Sequence, residues 1–279
     1  MIIENTGNFS ADKTFDCGQC FRFDPVGEGA FRGVVGREAV TVRDLGGAVE
    51  IEGSDDAEFW TRYLSLDADY GEIDRSICDA LEDERDRETV RRAVEYGAGI
   101  RILRQDPWET TVSFIISQNN NIPRIKKIIA ALSELAGEPI GDGEYAFPTA
   151  AALCDLGEEG IASTRCGFRA KYIYDAARRA LDGSFDPAAV AAFTEYADAD
   201  EYMRRIAGVG PKVSACALLF GFGRLDAFPI DVWMKRLIAT RFPDGLDHTR
   251  FGEYAGIAQQ YLFYYERWHG EDSSAPDGR

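Results

Sequence analysis

The sequence predicts an α+β chain, mostly helical, in which a small antiparallel sheet at the N-terminus precedes a helical body. Two observations carry this. Residues 1 to 53 hold short β-favouring runs divided by glycine turns. From Asp106-Pro107 onward, nearly every segment opens on helix-start residues and continues with helically spaced apolar positions. The composition agrees. Of 279 residues, 45% are hydrophobic and 12% aromatic, which suits one or two globular domains and excludes low-complexity disorder.

In the first region, Phe31 to Val35 and Ala39 to Val42 read as strands joined by Gly36-Arg37-Glu38, and Ala48 to Ile51 follows Gly46-Gly47. At Ser54 the period changes. Ser54 before acidic residues reads as a helix N-cap, with Phe59, Tyr63 and Leu64 on one face. Asp79 to Arg92 reads as one charged surface helix with an apolar stripe at Ile77, Leu81 and Val90. Pro107-Trp108 opens a helix to Ser117. Asn119-Asn120-Asn121 interrupts it, and Pro123 suits the first turn of the next. Phe168 to Leu181 is helical, and Asp186-Pro187 opens another helix. Glu201 to Ile206 and Pro211 to Phe220 flank the turn Gly208-Val209-Gly210. Asp231 opens a helix to Arg241, and Phe251 to Trp268 is the last. The predicted organisation is an N-terminal domain over 1–100, a helical domain over 101–268 and a disordered tail over 269–279.

Several function classes are excluded. No run of about 18 apolar residues exists to span a membrane. The first ten residues have neither a basic nor an apolar leader segment, so a cytoplasmic protein is expected. Six cysteines in a chain this long are no disulfide framework. Cys17 and Cys20 form a CxxC without a second pair or suitably spaced histidines, so they read as ordinary buried thiols in a strand. Nothing after Cys216 could complete a four-cysteine iron–sulfur site. The chain carries 48 acidic against 31 basic residues, and only 6 of the basic ones are Lys. A GC-rich genome explains few lysines but not the acid excess, which fits a protein adapted to high salt, a halophile.

The chemistry lies around the glycine turn. Gly208 and Gly210 let backbone N–H groups approach a phosphate at the start of the following helix, a clamp for a DNA backbone. Lys212 falls in the first turn of that helix. A cation there is disfavoured by the helix dipole, and a neutral lysine is a nucleophile. Asp231, nineteen residues on, opens another helix whose N–H groups stabilise a carboxylate.

Ile206-Ala207-Gly208-Val209-Gly210-Pro211-Lys212 and Phe228-Pro229-Ile230-Asp231-Val232 strongly resemble the helix–hairpin–helix (HhH-GPD) DNA glycosylases. The stretches Ser113 to Ile122, Gly167 to Tyr172, Phe15 to Arg22 and Ala258 to Phe263 are similar to those of the 8-oxoguanine branch, in the same order. The resemblance spans about residues 8 to 268. It implies a TBP-like N-terminal sheet, a helical HhH-GPD domain and a bifunctional N-glycosylase and abasic-site lyase. Its partner would be double-stranded DNA containing oxidised guanine, at the nucleoid, and its working unit a monomer. No cofactor or metal is required, and a monovalent cation at the hairpin is the only ion considered.

The resemblance also implies roles. Lys212 would attack the sugar C1′ and form a Schiff base, followed by β-elimination. Asp231 would stabilise the developing oxocarbenium. The damaged nucleotide would be turned out of the stack. Gly18 would offer its carbonyl to the N7 hydrogen that oxidised guanine has and guanine lacks. Cys216 and Phe263 would sandwich the base, and Gln259 would bond its Watson–Crick edge. Asn119 would fill the vacated space with Phe168 wedged into the stack, and Arg124 and Arg169 would read the orphaned cytosine. Three residues depart from the family pattern: Trp233 where many members place His, Phe168 for the common Tyr, and Pro211 before the lysine.

Two rival readings stand beside this one. An alkyl-purine glycosylase of the same superfamily uses the aspartate without the lysine, so Lys212 argues against it. A non-catalytic hairpin module would have no use for Asp231, Gln259 and Phe263 together. The charge pattern favours a DNA-binding face. Segments 101–130, 161–181 and 201–241 carry +3, +4 and +4, so the −17 of the whole chain leaves −28 elsewhere.

Overall fold

The computed structural model describes residues 1–269. Residues 270–279 of the expected tail lie outside the described residues, and His269 still belongs to the last helical turn. Five strands, β1 (Ile2–Glu4), β2 (Phe23–Gly27), β3 (Ala30–Val35), β4 (Glu38–Asp44) and β5 (Ala48–Glu52), form one antiparallel sheet in the order β1-β5-β4-β3-β2. Phe31 pairs with Val42, and Val42 with Ile51, so apolar side chains share one buried face. Helix α1 (Ala11–Asp16) lies against that face, and Phe15 stacks on Phe23 with ring centroids 4.2 Å apart. Trp60, Tyr63 and Leu64, from α2 (Ala57–Tyr63) and its end, complete this smaller core.

The second helix begins later than the sequence suggests. Asp56, not Ser54, is the N-cap, accepting from the Phe59 N–H at 2.9 Å, while Ser54 Oγ only braces the Asp56 N–H. The long helix expected over Asp79 to Arg92 is two helices, α3 (Tyr70–Asp79) and α4 (Glu84–Gly97). The side chain of Asp83 takes the Asp86 N–H at 3.1 Å and starts a new helix, competing with continuation of the old one. Ile73, Ile77, Leu81, Val90 and Val94 from this region pack in the large helical core, not under the sheet. Packing therefore assigns α3 and α4 to the helical body, although they lie within residues 1–100.

That body continues with α5 (Pro107–Ser117), α6 (Ile122–Ala136), a short hairpin of β6 (Pro139–Gly141) and β7 (Glu144–Tyr145), α7 (Ala150–Ser163) and α8 (Ala170–Asp182). Then come α9 (Pro187–Ala192), α10 (Tyr196–Met203), α11 (Pro211–Phe222), α12 (Val232–Arg241) and α13 (Ala255–Tyr264). Here too two boundaries shift. The helix before the hairpin starts at Tyr196 and ends at Met203, and the last helix is a 3-10 stretch (His248–Tyr254), α13 and a π turn (Tyr265–His269). Helix α11, apolar except for Lys212 and Ser214, is buried from Val213 to Gly221 and packs along α5.

The two cores meet along residues 100–103. Ile100 and Ile102 face the helical core and Leu103 the sheet-side core. Cys17 and Cys20 are buried free thiols in the loop after α1, outside any strand. Burial pushes the Cys17 thiol up to about 12. Among the described residues, no helix is long and apolar enough to cross a membrane.

Candidate active site

The hairpin is built by sterics. Gly208 has φ +79, and a Cβ there would fall 2.4 Å from the Tyr172 ring, so only glycine fits. Gly210 is the N-cap residue of α11 and faces open space. Among the described residues the N–H groups of Gly208 and Gly210 donate to nothing, while that of Ala207 is held by Asp175 Oδ2 at 2.9 Å. Burial works to raise the Asp175 pKa, but the Ala207 bond and Arg179 and Arg178 outweigh it and hold the carboxyl low. The hairpin is thus anchored from behind by a charged strut.

Pro211 and Lys212 are the first two residues of α11. Lys212 Nζ donates to Ser117 Oγ at 3.2 Å and lies 5.1 Å from the centre of the Phe114 ring. Asp231 caps α12, its Oδ1 accepting from the N–H groups of Trp233 (3.0 Å) and Met234 (2.9 Å). This fixes the carboxylate at a helix N-terminus beside the lysine's pocket.

Lys212 and Asp231 line one pocket with Phe114, Cys216, Gln259 and Phe263, a space of about 50 Å³. It adjoins a groove of about 650 Å³ lined by Asn119, Ile122, Trp233 and Lys235, and Gly18 borders both. Gly18 has φ +80, the conformation that favours glycine. Gln259 is 4% exposed, and its Oε1 has no partner among the described residues. A buried acceptor left unmet costs about 1–3 kcal/mol. The pocket therefore offers an open acceptor to an N–H donor, beside the side chains of Cys216 and Phe263. Burial raises the Cys216 pKa against the pull of Lys212, so the thiol serves as a neutral wall.

The Asn119 turn at the edge of the groove is different, and Arg124, Phe168 and Arg169 lie beside it, outside the groove lining. Asn119 is exposed with φ +47, a left-handed conformation that asparagine tolerates, and its side chain makes no hydrogen bond among the described residues. Asn121 caps α6 through the Arg124 N–H at 3.0 Å. Phe168, the expected wedge, is 52% exposed. Arg124 donates to the Arg165 carbonyl at 3.2 Å and is otherwise exposed. Arg169 departs from expectation. It is 2% exposed, and its guanidinium donates to the carbonyls of Gln118, Cys166 (2.9 Å) and Asn119 (2.9 Å), with Nε also on Gln118 at 2.9 Å. Four of its five N–H groups are committed to backbone, so it holds the Asn119 turn rather than standing open to a base.

Sequence reasoning gave no role to Ser117, Gln19, Gln105 or Gln260, all of which hold parts of the site. A signal existed for one of them. Adjacent Gln259 and Gln260 on an otherwise apolar helix must both be buried, and buried amides need partners. Among the described residues, no group of three His, Cys, Asp or Glu side chains could hold a metal ion.

The basic segments prove to be of two kinds. Arg104, Lys126, Arg178, Arg179, Arg204, Arg205, Arg224, Arg236 and Arg241 are ion-paired with carboxylates. Arg101, Arg124, Lys127, Arg165, Arg169, Lys171, Lys212 and Lys235 have no carboxylate partner among the described residues. Of these, Lys212 and Lys235 line the groove, and Arg124 and Arg165 are joined beside the Asn119 turn.

Comparison with known proteins shows the family. Residues 1–111 match the N-terminal domain of 8-oxoguanine DNA glycosylases, and residues 112–243 match the HhH-GPD superfamily of base excision DNA repair proteins. The chain is 30% identical to the N-glycosylase/DNA lyase OGG1 of Arabidopsis thaliana, over 91% of this chain and 76% of that protein. It superposes on the Clostridium acetobutylicum 8-oxoguanine glycosylase/lyase, solved with duplex DNA bearing cytosine opposite 8-oxoguanine. The TM-score is 0.87 and the identity 37%, over 96% of this chain and 95% of that one. MBOgg1, solved with a low-affinity DNA ligand, gives 0.88 and 40%, over 96% of each chain. A 3-methyladenine DNA glycosylase of Archaeoglobus fulgidus gives 0.71 at 21% identity, over 96% of this chain and 99% of that one, and shares the fold alone.

Proposed function

This chain belongs to the 8-oxoguanine DNA glycosylase family, and from that premise we propose how its own residues do the work. It is a bifunctional DNA N-glycosylase and lyase. It removes 8-oxoguanine from duplex DNA and then nicks the strand. Lys212 is the nucleophile. Its nitrogen attacks C1′ of the extruded nucleotide as the glycosidic bond breaks, the amine proton is lost and the C1′–O4′ bond opens to give a Schiff base, and removal of a C2′ proton then expels the 3′ phosphate by β-elimination. Asp231 faces the positive charge that develops on the sugar, held there by two helix N–H groups, and so acts mainly in the transition state.

The base enters between Cys216 and Phe263. The Gly18 carbonyl accepts the N7 hydrogen peculiar to the oxidised purine, and Gln259 Oε1 accepts from the Watson–Crick edge. Asn119 and Phe168 occupy the gap left in the duplex. Arg124 reads the orphaned cytosine. Gly208 and Gly210 hold the phosphate backbone through their unpaired N–H groups. The chain needs no cofactor for this chemistry, and a monovalent cation at the hairpin would serve only to hold its backbone.

The single observation that carries this reading is the convergence of Lys212, Asp231 and the unmet acceptor of Gln259 on one pocket. The test is borohydride trapping on duplexes with 8-oxoguanine opposite each of the four bases. A covalent protein–DNA adduct, formed fastest opposite cytosine, is expected. Base release without any trapped adduct would refute the lysine chemistry.

A further inference from the structure

The loop carrying Gly18 is tied down on both sides by glutamine side chains that come from elsewhere in the chain. Gln260, on α13 and 2% exposed, donates its amide to the Cys17 carbonyl at 2.8 Å. Gln105, just before α5, donates to the Gln19 carbonyl at 2.8 Å. The Gln19 side chain is itself fully buried and satisfied. Its amide reaches the carbonyls of Thr14 (2.9 Å) and Arg101 (2.8 Å), and its oxygen accepts the Leu103 N–H at 2.8 Å. Of the three consecutive carbonyls 17, 18 and 19, only that of Gly18 accepts nothing among the described residues.

We infer that Gln260 and Gln105 are positioning residues for lesion recognition: by occupying the flanking carbonyls they fix the peptide that presents the Gly18 carbonyl to the N7 hydrogen. The inference rests on the functional reading above. One hydrogen bond separates oxidised from normal guanine at that atom, so its acceptor must not swing. A peptide with φ +80 and no side chain would otherwise be free to turn. Two side-chain amides, one from each flank, remove that freedom at long range, because Gln260 lies 243 residues from its acceptor. Both bonds end on backbone oxygen, so in this role each glutamine acts through the peptide it holds, although Gln260 also lines the pocket.

The prediction separates recognition from sugar chemistry. Gln260→Leu keeps the side-chain bulk and deletes the donor. Single-turnover release of 8-oxoguanine opposite cytosine should fall about 10- to 100-fold, the usual cost of a small misplacement. Nicking of a duplex with a preformed abasic site opposite cytosine, where no base need be recognised, should fall far less. Gln105→Leu should give the same split with a smaller drop, and it covers the case in which Gln260→Leu does not fold. Equal losses in both activities for both variants would mean a merely structural role and would overturn the proposal. So would undiminished base release by both. Failure of the unaltered chain to release 8-oxoguanine would overturn the functional reading instead.

Discussion

The base pocket and the Asn119 turn across the groove, here its two walls, are built on opposite principles. On the lesion side, Gly18, Cys216, Gln259 and Phe263 sit on buried elements, and the polar atoms that matter there, Gln259 Oε1 and the Gly18 carbonyl, are unmet. On the far side, Asn119 is left-handed and exposed, Phe168 stands half in solvent, and Arg169 has spent its donors on the turn itself. The first wall is complementary to a ligand before one arrives. In the second, the Asn119 side chain and the Phe168 ring stand open, whereas Arg169 can reach a base only by giving up a bond it already holds. On the proposed reading the base pocket is thus preorganised, while any reading of a base by Arg169 is an exchange.

The contrast also explains what could be read from sequence. The capping aspartates, the hairpin and the order of the four motifs are local, so Lys212, Asp231 and the helices they start were legible. Long-range bonds were not. Nothing near Gln260 in sequence announces a bond to Cys17, and an arginine beside an exposed Phe168 gives no sign of being buried. The break between α3 and α4 was missed because Asp83 lies in a charged run where a cap looks like any other acid. The three basic segments were correctly counted but not sorted, since only the fold shows which arginines are already paired.

The largest expected effect tests the lesion wall. Lys212→Gln should abolish both the borohydride adduct and strand nicking, because no other amine is placed to form the Schiff base in this pocket. An adduct in normal yield would show that the nucleophile lies elsewhere. Next, Asp231→Asn should lower single-turnover excision by about 100- to 1,000-fold while lesion binding stays within a few-fold. That range is typical of removing one electrostatic group aimed at the transition state. Loss of binding with an unchanged rate would contradict it.

The far wall should respond less, and its two arginines differently. Arg169→Ala frees the Gln118 and Asn119 carbonyls, so excision should fall by roughly ten-fold opposite every base, with little change in preference. Arg124→Ala should leave the rate opposite adenine nearly untouched and reduce the preference for cytosine by about 5- to 150-fold. If Arg169→Ala alone erased the preference, Arg169, not Arg124, would be the reader.

One ion pair joins the two walls. Arg22, just past the Gly18 loop, meets Glu109 on α5 at 3.4 Å, and α5 leads into the Asn119 turn. Burial raises the Glu109 pKa to about 7 despite that guanidinium. A carboxyl whose folded pKa lies above its unfolded one contributes stability that is full below about pH 4.5 and lost as pH rises through 7. The contribution is at most about 3 kcal/mol. Thermal melting of Glu109→Gln should therefore fall less than that of the unaltered chain between pH 5 and 8. Parallel melting curves for the two would exclude Glu109 as the titrating group.

The smallest effect concerns salt, and it turns on the sorting of the cations. Each phosphate contact made by a cation gives a salt slope of about 0.9. Among the described residues, Lys212 and Lys235 line the groove without a carboxylate partner, while the remainder of the chain outside the three basic segments carries −28. Binding must lean on parts that salt does not weaken: the hairpin N–H groups, the Phe168 wedge and the base pocket. The acidic body, meanwhile, repels itself, and that repulsion is screened as the Debye length falls from about 10 Å to below 3 Å. Between about 0.1 and 2 M KCl, screening should add on the order of 1 kcal/mol of stability, a rise in melting temperature of about 2–4 °C. Single-turnover excision at saturating enzyme should hold level or improve. A steady loss of both above the lowest salt would show that the far wall, not the pocket, carries the binding, and would leave the acid excess without a role in salt adaptation.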